Sequence, residues 1–180
     1  MADPMTAPSL VGKKVFLRPA TPEDIINSQH WVLLSEPQSF SPDLSPIVGG
    51  KEAAELYKSD SSVTMLMIVR RKDNTPVGRL TISHLNLQNR SAQVDLLVDP
   101  DERRNGHGTE AIQVACRHLF AQRGLNRVYA EVPANDSKAI GMLTKATFTR
   151  EGVLRQHYFF NGDYEDGAVY SMLRYEFPWD

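Results

Sequence analysis

The chain has 180 residues, 41% of them hydrophobic, with 20 lysines and arginines against 22 acids and a formal charge of −2. That length fits one domain burying about two thirds of its unfolded surface, and the near-neutral charge excludes the footprint of a nucleic-acid or anionic-membrane binder. A single cysteine, Cys116, excludes a disulfide framework, and no apolar run reaches the ~20 residues of a membrane span. Met1–Gly12 lacks the apolar core of a signal peptide, so a cytoplasmic protein is expected, with residues 1–12 as a flexible segment before one domain over 13–180.

Val15–Arg18 reads as a first strand. Thr21-Pro22-Glu23-Asp24 follows as an N-cap, a proline at the first helical position and acid in the first turn, predicting a helix through Ile26, Trp31 and Leu33 that ends before Pro37. Ser39–Gly50, with Pro42 and Pro46, is a loop, and Lys51–Tyr57 a short helix. Val63–Arg70, Val77–Ser83 and Ala92–Val98 are strands separated by turn chemistry, assembled most economically as an antiparallel meander. Thr109–Arg123 carries Ile112, Ala115, Cys116 and Leu119 on one helical face, with Gly124 at its stop. A strand at Val128–Val132 and a helix at Ser137–Lys145 come next. Leu154–Phe160, Asn161-Gly162-Asp163 and Val169–Tyr175 close the chain as a hairpin.

The most telling stretch lies between strand and helix: Arg103-Arg104-Asn105-Gly106-His107-Gly108-Thr109. Glycines let backbone approach a ligand closely, amides at a helix start attract phosphate, and two arginines add fixed positive charge, so the stretch predicts a diphosphate grip. His107 is expected to project outward. Gly106-x-Gly108-x-x-Ala111 also fits a dinucleotide fingerprint, with Glu131 near the ribose-acid offset. Against that reading, hairpin-connected strands precede the loop, seven residues separate Val98 from Gly106, and fewer than 50 residues follow Glu131.

Arg103-x-x-Gly106-x-Gly108 resembles the signature loop of the GNAT superfamily, acetyl-CoA-dependent amine N-acetyltransferases, and the element order β-α-α-β-β-β-α-β-α-β-β is similar to theirs. A further resemblance runs through Asn135 to Phe148: Lys145, Ala139 and Asp136 fall in register, Asp136 or Asn135 taking the place of a pantetheine-binding asparagine, Thr147 that of a glycine, and Leu143 that of a thiolate-protonating tyrosine. An aliphatic residue there, with Phe148-x-x-Glu151-Gly152-x-Leu154-Arg155 and the later Gly162-Asp163-Tyr164, resembles the ribosomal-protein N-terminal (RimJ/RimL-like) subgroup. Spermidine acetyltransferases share part of this tail.

The resemblance implies an α+β fold, a single mixed and mostly antiparallel sheet flanked by helices, with splayed central parallel strands. It implies a coenzyme A thioester bound by Leu96, Leu97 and Val98 along pantetheine, by Arg103, Arg104, Asn105, Gly106, His107, Gly108 and Thr109 around the diphosphate, and by Asn135, Asp136 and Lys145. An N–H near Leu97 or Val98, with Leu97 preferred, would face the thioester oxygen. Glu131 is the candidate base, or else a carboxylate paired with an arginine such as Arg127. Gln93 and Asp95 share a strand face and could steer an amine, while water, the product ammonium, Tyr129 or Ser137 could protonate the thiolate. The five histidines show no metal spacing, and Cys116 reads as core, which favours direct transfer to the amine. No metal is expected. The partners expected are the thioester, an amine acceptor and, through the closing hairpin, a second copy of the chain. An acyl-CoA-binding domain without catalysis, kept open by Asp136, Leu143 and Thr147, is the rival.

Overall fold

The computed structural model describes residues 8–35, 50–59, 62–160 and 162–179. The loop expected at Ser39–Gly50 lies outside them but for its last residue, as does Asn161 of the closing turn.

The elements are β1 (Val15–Pro19), α1 (Pro22–Leu33), α2 (Gly50–Ser59), β2 (Thr64–Arg70), β3 (Thr75–Asn86), β4 (Ser91–Val98), α3 (His107–Ala121), β5 (Arg127–Pro133), α4 (Ser137–Lys145), β6 (Thr149–Phe160) and β7 (Asp163–Leu173). They follow the order read from the sequence. Thr21 caps α1 in a reciprocal box with Asp24, whose carboxylate also takes two hydrogen bonds from Arg18. One sheet holds all seven strands in the order β1-β2-β3-β4-β5-β7-β6. Every pair is antiparallel except β4–β5, which the α3 crossover makes parallel. A single parallel pair in a meander is no doubly wound sheet, and the dinucleotide reading ends there.

The main core lies between the sheet and α3 and α4. Ala92, Val94, Val128 and Ala130 meet Ile112, Ala115, Cys116, Leu119, Phe120 and Leu143. On the opposite face Trp31 of α1 packs with Phe16, Met67 and Val69, and α2 adds Ala53 and Ala54 beside Ile25 and Met65. No helix among the described residues is long and apolar enough to cross a membrane.

Three differences from the sequence reading have physical causes. Residues 8–12 are docked rather than flexible. Leu10 is buried, Arg117 donates to the Ser9 and Val11 carbonyls, and the Glu110 carboxylate accepts the N–H groups of Lys13, Lys14 and Val15. Strand β6 begins at Thr149, not Leu154, because an edge strand exposed on both sides carries no apolar alternation to read. Helix α3 starts at His107, two residues early, because Gly106 takes φ +82° and turns the chain into it.

Candidate active site

The glycine loop leaves β4 through a short 3-10 turn, Pro100–Glu102, and delivers the N-terminus of α3. The first helical hydrogen bond runs from the Glu110 N–H to the Gly106 carbonyl, so the amides of His107, Gly108 and Thr109 precede it, and no side chain among the described residues caps them. Arg104 stands exposed at φ +65°, a conformation costly for any residue with a Cβ. Lys14, which the sequence reading passed over, sends its ammonium to the Asn105 carbonyl at 3.1 Å and adds positive charge to the loop. Its placement comes from the Glu110 clamp on β1, a contact 96 residues long in sequence. Three open amides with two cations suit an anion such as a diphosphate.

The other loop residues do different work. Arg103 donates to the Val98 carbonyl at 3.2 Å and to Ser35 Oγ at 2.7 Å, bracing β4 against the end of α1. Asn105 Nδ2 donates back to Glu102. Gly108 has no spare room, since a Cβ there would meet Leu96, Met142 and Val98 at 3.1–3.3 Å. It lets α3, α4 and β4 converge. His107 does not project outward: it is 6% exposed, its Nδ1 has no hydrogen-bond partner among the described residues, and Glu102 lies 3.9 Å away. Its side chain turns into the protein.

Beyond the loop, β4 and β5 part. Among the described residues their parallel register runs through Ser91↔Arg127, Ala92↔Val128 and Gln93↔Tyr129 and goes no further, so beyond Gln93 the two strands diverge. The groups facing the gap follow from register. Asp99 donates to the Val77 carbonyl and Leu97 pairs with Arg79, so the N–H groups of the odd residues on this strand point at β3. The backbone of Leu96 and Val98 therefore faces the gap, and the Val98 carbonyl there accepts from Arg103. Leu97, the preferred oxyanion donor, is committed to the neighbouring strand; its side chain packs with the Trp31 cluster.

A polar cluster lines the α1 face of the gap. Gln93, Asp95, Tyr129 and Glu131 share that face by alternation, and pairing across β7 adds Glu165 and Tyr158. Burial foremost, then the charges of Glu131 and Asp95, push the phenols of Tyr129 and Tyr158 up, which keeps both protonated. Glu131 does not pair with Arg127, whose guanidinium is taken by Glu151, a carboxylate that Ser171 also contacts. Its partner is His157, Nε2 to Oε2 3.3 Å. His157 had no partner in the sequence reading, because β6 brings it from 26 positions away.

Asp136 caps α4, its Oδ1 accepting from the Lys138 and Ala139 amides, and Asn135 Nδ2 donates to Glu165 at 3.2 Å. Lys145 is exposed in the last turn of α4. Leu143, at the position where the family resemblance places a tyrosine, is 1% exposed in the core. Cys116 is fully buried and its thiol pushed far up, so it is no acyl carrier. Among the described residues no three His, Cys, Asp or Glu side chains gather to hold a metal ion.

Residues 30–148, about two thirds of the chain, match the acetyltransferase (GNAT) family. The chain belongs to that family. Its members use acetyl-CoA, and the loop amides, the cations and the open strand edge fit that molecule's diphosphate and pantetheine. YoaA, an uncharacterized N-acetyltransferase of Bacillus subtilis, is 32% identical over 59% of this chain and 60% of its own length. The spermidine N(1)-acetyltransferase of Vibrio cholerae is 25% identical over 64% of this chain and 68% of that one. A crystal structure of the Vibrio cholerae spermidine N-acetyltransferase in complex with CoA and spermine superposes with a TM-score of 0.82 at 21% identity, covering 92% of this chain and 99% of that one. At that identity the likeness is one of fold.

Proposed function

We propose that this chain transfers the acetyl group of acetyl-CoA directly to a primary amine, and that the acceptor is a small polycation. The observation that carries the reading is the β4–β5 gap opening beneath the uncapped start of α3. The amides of 107–109, Arg104 and Lys14 hold the diphosphate, while the outward backbone of Leu96 and Val98 pairs with pantetheine as an added strand would. The Val98 N–H stands in for the Leu97 donor expected from the sequence. Asp95, Glu131 and Glu165 on the cleft face supply the negative charge that draws in an ammonium.

Glu131 then takes a proton from the bound ammonium. The freed lone pair forms the C–N bond, the C–S bond breaks, and one of the two remaining amine protons ends on the thiolate sulfur while the other stays on the amide nitrogen. Spermidine is the acceptor named for the Vibrio cholerae relative above, which supports a polyamine over the protein N-terminus implied by the tail's ribosomal-protein resemblance. The same reading places the protein in the cytoplasm and pairs it with a second copy through the β6–β7 hairpin.

Thiol release from acetyl-CoA, measured with spermidine, spermine, an alanine-terminated peptide and an aminoglycoside, tests the proposal. A polyamine is expected to give the highest kcat/KM. Glu131→Gln should lower kcat by about 10²-fold or more with little change in cofactor affinity; wild-type turnover across the pH range discards the base. Binding of coenzyme A with no amine turned over establishes the rival reading as a binding domain. That rival draws on Asp136 and Asn135, both engaged within the protein rather than free for pantetheine.

A further inference from the structure

Strand β6 carries two register shifts against β7, and the second brings His157 to Glu131. Pairing passes from Leu154↔Gly167 to Tyr158↔Glu165, so Arg155, Gln156 and His157 stand against the single residue Asp166. Gln156 takes φ +51°, unfavourable for a residue with a Cβ, and its N–H is held by Asp166 Oδ1 at 2.8 Å. The bulge turns the His157 imidazole onto Gly167, where a Cβ would meet His157 Cδ2 at 3.1 Å and Cβ at 3.2 Å. Tyr158 packs edge-on to the same ring with centroids 4.7 Å apart. Strain, an anchoring carboxylate and a missing side chain thus serve one outcome, Nε2 of His157 at 3.3 Å from Glu131 Oε2. Bulges re-aim side chains in this way beside active sites.

We propose that His157 is the proton acceptor behind Glu131, a positioning residue that empties the base to solvent during each turnover. The inference rests on Glu131 being the base. The acceptor ammonium gives one proton to the Glu131 carboxylate, Glu131 passes a proton to Nε2, and the imidazolium, whose side chain is 38% exposed, releases one to water. Both groups return to their starting charge, and the C–N and C–S events are those above. The other titratable groups on this face are Asp95 of β4, Tyr129 of β5, Tyr158 of β6 and Glu165 of β7. Beside them His157 carries the imidazole, whose two ring nitrogens suit it to relay a proton from Glu131 toward water.

The experiment compares wild type, His157→Gln, Glu131→Gln and Gly167→Ala in steady-state acetylation of spermine and of an alanine-terminated peptide, from mildly acid pH to about pH 10, where an amine is substantially neutral unaided. His157→Gln is expected to lower kcat roughly tenfold or more near neutrality, with KM for acetyl-CoA unchanged, and the deficit should narrow as pH rises. Gly167→Ala, which pushes the ring off its seat without removing it, should give the same deficit and add nothing in the double variant. Wild-type kcat in His157→Gln, a deficit constant with pH, or full additivity overturns the proposal. If Glu131→Gln is slow while His157→Gln is not, only this inference fails. If neither slows, or neither amine is acetylated, the base assignment or the acceptor reading falls with it.

Discussion

Arg104 and Thr147 both occupy the left-handed region, at φ +65° and +70°, without being glycine. Thr147 completes a Schellman end on α4: its N–H reaches the Thr144 carbonyl, the Phe148 N–H reaches that of Leu143, and Phe148 and Leu143 join the same core. The sequence register exposed this strain in advance, since a β-branched residue stood where relatives place glycine. At Arg104 the strain has a different meaning, because nothing in the fold needs the side chain, which is exposed and makes no hydrogen bond among the described residues. Arg104→Gly should therefore leave the melting temperature unchanged or raise it by a few degrees while weakening coenzyme A binding about tenfold. Calorimetry and a thermal melt on the same variant read both. Equal affinity would remove Arg104 from the diphosphate grip. Gly108→Glu is a less clean test, because Leu96, Met142 and Val98 leave no room for its side chain.

At the scale of the element, helix caps show what local chemistry fixes. Asp24 is partly buried, which alone would raise its carboxyl; the Arg18 bonds, then the Thr21 amide and hydroxyl, overcome this and hold it below the usual range. A carboxyl depressed in the fold stabilises it above the unfolded value near 3.8 and ceases to do so as pH falls through the folded value. Asp24→Asn should cost about 1–2 kcal/mol at neutral pH, and its difference from wild type should vanish at acid pH below that window. Denaturant midpoints across pH measure it; a cost independent of pH would mean that packing, not charge, holds the cap. The box was legible because its residues lie within four positions. The β6 bulge was not, because its causes, Asp166, Gly167 and Glu131, lie on other strands.

For the whole molecule, the edge strand β6 leaves Val153 and Phe159 exposed, with the Tyr164 ring of β7 tilted against Phe159, centroids 5.0 Å apart. Such apolar surface at a sheet edge favours association. A solution mass near twice 20.2 kDa is expected by light scattering, and a monomer at all concentrations would exclude the paired state.

The sequence by itself determined the order of the elements, the caps of α1 and the position of the glycine loop, because each is written in residues a few positions apart. Tertiary structure decided the rest. Whether Leu97 or Val98 turns its N–H to the gap depends on register with β3, since side-chain alternation names a strand's faces but not its edges. The fate of His107, the docking of residues 8–12, the charge of Lys14 beside the loop and the meeting of Glu131 with His157 all depend on contacts between distant segments, which no local pattern encodes.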